Sequence, residues 1–78
     1  MTHELLQAAN KIDREIEELE AQLRIVESML HEGSELQLLC PDIGTITLSP
    51  EARLDVLNTT LSDLSTRKEE LEDRLRML

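Results

Sequence analysis

Residues 33–51, GSELQLLCPDIGTITLSPE, decide how this chain folds, because they interrupt two long helical patterns and supply the signals for reversing between them. Gly33 stands where a helix closes with a left-handed residue. Cys40-Pro41-Asp42-Ile43-Gly44 carries turn chemistry, with Pro presetting one torsion and Gly free to adopt another. On either side of that turn, Leu36 and Leu38 alternate with polar neighbours, as do Ile46 and Leu48 with Thr45 and Thr47. A period of two that includes β-branched residues reads as strand. Leu36, Leu39 and Cys40 would also suit one more helical turn, so 35–39 is open between strand and helix. Ser49-Pro50-Glu51 then starts a helix: Ser can cap, Pro fits the first helical position and Glu suits the positive end of the dipole.

Outward from this segment run two matched apolar ladders. The first climbs Leu5, Ala9, Ile12, Ile16, Leu19, Leu23, Val26, Leu30, and the second Leu54, Leu57, Leu61, Leu64, Lys68, Leu71, Leu75, Leu78. Alternating steps of four and three are a heptad seam. With Thr2 as N-cap and Glu4 near the dipole's positive end, the spacing predicts helices over 3–32 and 50–78 with a β-hairpin or extended tip over 34–48. The fold class is mainly α, an antiparallel two-helix coiled-coil hairpin in a single domain. At 78 residues, a core of this kind supplies only ~3–5 kcal/mol, so support from self-association or a partner is expected.

In the antiparallel register Leu30 meets Leu57, Leu23 meets Leu64, Ile16 meets Leu71 and Ala9 meets Leu78. Glu15 then approaches Arg74 and Gln22 approaches Arg67 on one edge, while Asp13 lies beside Glu72 and Glu20 beside Ser65 on the other. Lys68, the one charged rung, faces Leu19. A polar residue at such a position fixes register or oligomer state at some cost in stability, and lysine can carry its ammonium out of the seam. The sharper reading pairs Lys68 with a carboxylate of a neighbouring chain, such as Glu20 or Asp13.

Apolar residues off the ladders mark where something else docks. Ile25 and Met29 flank the seam one turn apart, and Val56 lies at the matching end of the second helix. With Leu36, Leu38, Leu39, Ile43, Ile46 and Leu48 they make the tip far more apolar than mid-coil, and isolated two-stranded hairpins are marginal in water. Pairing with copies of the chain or with a partner's strand is the expectation. A smaller surplus, Leu5, Leu6, Met77 and Leu78, lies at the opposite end.

Seventeen acidic against eight basic residues give a net charge of minus nine, which opposes binding to nucleic acid through phosphates. No Phe, Tyr or Trp is present for base stacking. An acidic surface can imitate nucleic acid, or it can simply keep a small protein dispersed. No run approaches a membrane span, the first residues lack the pattern of a secretory leader, and one cysteine fits a reducing compartment. A cytoplasmic location, in its own or a host cell, is expected.

Catalysis needs a nucleophile with a base, or paired carboxylates, in a pocket. His3 and His31 lie near the two ends of the first helix. His31 and Cys40, joined by Glu32, Glu35 or Asp42, form at most a weak metal-ligand pattern. Gly33 and Gly44 stand alone and build no phosphate loop. Glu17, Glu18 and Glu20, like Glu69, Glu70, Glu72 and Asp73, are interleaved with basic residues as on solvated helix faces. Neither enzyme activity nor a cofactor or metal is expected.

From Gly44-Thr45-Ile46-Thr47-Leu48 into Ser49-Pro50-Glu51 and the following heptads, the chain resembles the second strand and helix of a β-type prefoldin subunit. The helices here are much shorter. The resemblance implies a hub built by Leu36, Leu38, Ile46 and Leu48 and a client grip at Leu5, Leu6, Met77 and Leu78. The leading expectation is a self-associating adaptor, assembly factor or regulator. The alternatives are a phage-type inhibitor masking a nucleic-acid-handling enzyme and a prefoldin-like holdase.

Overall fold

A computed structural model describes residues 2–78. Helix α1 spans His3–Glu32 and helix α2 spans Pro50–Met77, with Leu78 as the closing residue. Each starts at the cap expected from sequence. The Thr2 hydroxyl accepts from the Leu5 N–H at 3.2 Å, and the Ser49 hydroxyl accepts from the Ala52 N–H at 3.2 Å. Both satisfy a donor that a helix start leaves without an intrahelical partner. Helix α1 ends at Gly33, whose φ of 72° is a left-handed conformation that a side chain would strain.

Between the helices, the open segment resolves as strand. β1 (Gln37–Cys40) pairs antiparallel with β2 (Gly44–Thr47), matching Gln37 with Thr47, Leu38 with Ile46, Leu39 with Thr45 and Cys40 with Gly44. The Ile43 N–H donates to the Cys40 carbonyl at 3.2 Å and closes the turn, after which Gly44 takes a φ of 136°. At the base the Leu48 N–H donates to the Leu36 carbonyl at 2.8 Å, which extends the ladder one pair toward the helices.

A helix as long as α1 measures on the order of 45 Å, so a molecule with a longest dimension of 50 Å has its two helices side by side. They pack along the heptad seam. Ile16, Leu19, Val26, Leu57 and Leu64 are buried, with Leu23, Met29, Leu30, Leu36, Leu61 and Leu71 partly buried against the cluster formed by Leu19, Val26, Leu57 and Leu64. The core is thin. Leu57 is the most buried of these at 3% exposed, and among the described residues no large side chain is shielded completely, as expected of a two-layer seam with water on both flanks.

The ladder departs from expectation at its tip end. Leu54, read as the first rung of α2, is 46% exposed, while its neighbour Arg53 is 8% exposed. The reason lies in the register. With Leu30 opposite Leu57, one rung back toward the start of α2 comes level with Gly33, where α1 has ended and no side chain remains to receive Leu54. What α1 does present there is the carbonyl end of its last turn, and a guanidinium serves that better than a leucine.

Candidate functional site

The hairpin stands away from the rod. It packs on neither helix, and both strands are exposed throughout. Its register sorts the side chains onto two faces. Leu38 and Ile46 share one face with Leu36, Leu48 and Cys40, while Gln37, Leu39, Thr45 and Thr47 occupy the other. On the second face the Gln37 amide donates to the Thr47 hydroxyl at 3.3 Å. The first face is apolar from base to turn. At its base Leu36 and Leu48 are half-buried, but Leu38 is 51% and Ile46 64% exposed, and Ile43 caps the turn in full contact with solvent.

The edges are equally bare. The bond from Leu48 to Leu36 sets the alternation of the ladder, so Leu38 and Ile46 turn their backbone groups toward each other. Gln37 and Leu39 on one edge, and Thr45 and Thr47 on the other, turn theirs outward. No lysine, glutamate or proline lies in either strand to discourage pairing, and Asp42 is the only charge between Leu36 and Leu48. In a chain of net charge minus nine, the tip is thus a stretch of low charge.

The tip is held to the rod by a residue that the heptad reading passed over. Arg53 Nε–H donates to the Ser34 carbonyl, and Nη2–H donates to the Met29 carbonyl. The Met29 oxygen also accepts from the Gly33 N–H at 3.2 Å, so it closes α1 and anchors α2 at once. Hydrogen bonds to a charged group are worth about 1.5–3 kcal/mol, which is large against a core this thin. A signal was available in the sequence. A cation in the first turn of a helix opposes that helix's dipole, and the arrangement is favourable only if another helix's carbonyl end is nearby.

The other predicted residues fall in distinct places. Met29 and Leu36 are partly used by the core, whereas Ile25 and Val56 are exposed on the flank of the rod. Ile25 lines a shallow groove with Gln22, Val26, Thr60 and Leu64. The Thr60 hydroxyl donates to the Val56 carbonyl at 2.7 Å, so the polar group of that residue is already engaged. Farther from the tip, Glu15, Glu18, Leu19, Gln22, Arg67, Glu70, Leu71 and Arg74 line one groove, which brings Glu15 and Arg74, and Gln22 and Arg67, onto a common edge as the register requires. The ion pair that forms there is within α2, however, between Arg67 and Asp63 at 3.0 Å. An i, i+4 partner on the same helix is reached at less entropic cost than one across the seam.

Lys68, expected opposite Leu19, is half-buried in a depression with Glu20, Leu23, Arg24 and Glu27, and it forms no ion pair among the described residues. Leu5, Leu6, Met77 and Leu78 are all exposed at the end opposite the hairpin. His3, His31 and Cys40 are exposed, and among the described residues no three metal-ligating side chains come together. No described helix is long and apolar enough to cross a membrane. No protein-family model matches the chain, and comparisons with curated proteins and with solved structures returned no match.

Proposed function

We propose that this chain is a non-enzymatic interaction module that associates with copies of itself through its β-hairpin tip, and so serves as an adaptor, assembly factor or regulator. One observation carries the reading: the hairpin packs on neither helix while Leu38 and Ile46 lie exposed on its apolar face and Ile43 at its turn. A two-stranded hairpin with an uncovered apolar face is marginal alone and gains from a third layer or strand. The thin seam supports the same conclusion, since a chain of this size is usually stabilised by something beyond its own core.

The test is the molar mass in solution across a wide concentration range, by light scattering or sedimentation. The parent chain is expected well above 8.9 kDa, and Ile46→Asp is expected to bring it down while helix content is retained. A parent chain that stays at 8.9 kDa at every concentration contradicts the proposal.

A further inference from the structure

The flank of the rod that carries Ile25 is patterned along its length. Nearest the hairpin it is apolar: Ile25 and Val56 are exposed, and the groove between the helices there is lined by Gln22, Ile25, Val26, Thr60 and Leu64. Farther along, the same flank becomes charged, with Glu15 and Glu18 on α1 and Arg67, Glu70 and Arg74 on α2. On the opposite flank a depression combines Glu20, Arg24, Glu27 and Lys68 around Leu23.

We infer that two copies pack these Ile25-bearing flanks together about a two-fold axis parallel to the rods, forming a four-helix bundle with both hairpins at the same end. The inference rests on the self-association proposed above and specifies its geometry.

Symmetry selects the axis. A two-fold parallel to the rods keeps every residue at its own height and sets α1 of one copy against α2 of the other. Apolar groove then meets apolar groove, with Ile25 of one copy toward Thr60 of its partner copy, and Glu15 and Glu18 face the stretch that carries Arg67, Glu70 and Arg74. A two-fold across the rods does neither. Centred on the apolar stretch, it sets α1 against α1 and lays each hairpin over the other copy's charged stretch. Centred on the middle of the rod, it sets apolar against charged.

Charge favours the same choice. In the groove α1 contributes Glu15 and Glu18 and no cation, whereas α2 contributes Arg67, Glu70 and Arg74. Setting α1 against α1 would oppose four carboxylates, and setting α1 against α2 places two cations and the single carboxylate Glu70 opposite Glu15 and Glu18. Size favours it as well. The exposed face of one short hairpin falls below the ~800 Å² per partner of a stable interface, and a contact running along the rod as well supplies the remainder.

The test uses full-length chains in a Cys40→Ser background, one carrying Ile25→Cys and the other Thr60→Cys, mixed and treated with a short bis-maleimide. Cross-links between the two kinds of chain, in clear excess over Ile25→Cys chains linked to each other, are the expected result. Retained oligomeric mass with mainly like-to-like links, or with no links at either position, overturns the parallel geometry and leaves self-association standing. A mass of 8.9 kDa for the uncross-linked parent at all concentrations overturns both.

Discussion

Arg53, in the first turn of α2, donates to the Met29 carbonyl oxygen in the last turn of α1, and thereby ties the two helices together where the hairpin departs. Its guanidinium reaches the Ser34 carbonyl as well, so one buried side chain holds both the last turn of α1 and the segment that leaves it. Replacing Arg53 with Ala is expected to destabilise the chain by about 2–3 kcal/mol, since both bonds and the packing of the stem are lost. Arg53→Lys should recover only part, because an ammonium cannot fork between two carbonyls as a guanidinium does. Urea denaturation followed by circular dichroism reads the difference, and an unchanged midpoint for the alanine variant would count against the anchor.

Leu57 and Leu54 sit one turn apart with opposite exposures. Leu57→Ala is expected to cost about 2–5 kcal/mol through lost burial and an imperfectly closed cavity. Leu54→Ala should cost under about 1 kcal/mol, as for a largely surface position. Equal losses in the same denaturation assay would restore Leu54 to the seam.

Thr45 and Ile46 are neighbours on opposite faces of β2. Ile46→Lys places a charge on the apolar face and is expected to reduce the molar mass. Thr45→Lys places the same charge on the face that carries Gln37, Leu39 and Thr47 and should leave it unchanged. A loss of mass with Thr45→Lys, measured by sedimentation at equal concentration, would move the contact to the other face or to the strand edge.

Lys68 occupies a ladder position without an ion pair among the described residues. Lys68→Leu should stabilise the chain by about 1 kcal/mol by extending the seam, with no change of mass. A changed oligomer number after this substitution would instead show that the lysine selects the assembly.

The helices were legible because each carries a long repeat together with its own stop or start residues, Gly33 and Ser49-Pro50. Heptad counting failed at Leu54 for a physical reason: the letters are assigned along one helix and contain nothing about where its partner ends. The strand at Gln37–Cys40 was ambiguous because Leu36, Leu39 and Cys40 satisfy a helical spacing as well as an extended one. Pairing of Leu38 with Ile46 decides the matter, and such non-local contacts are not written in local spacing. Among the candidate contact residues, the sequence distinguished tip from rod but not Met29 and Leu36, which the core partly takes, from Ile25 and Ile46, which it leaves exposed.

Because the hairpin packs on neither helix, the chain contains two units of very different local stability joined by short connections. The seam opens only by global unfolding, whereas the strands can open on their own. In dilute solution the amides of Leu38, Leu39, Thr45 and Ile46 are expected to exchange with deuterium far faster than those around Leu19 and Leu57. As concentration rises, the strand amides should slow markedly, so that isotope exchange at the tip reports how many molecules are assembled.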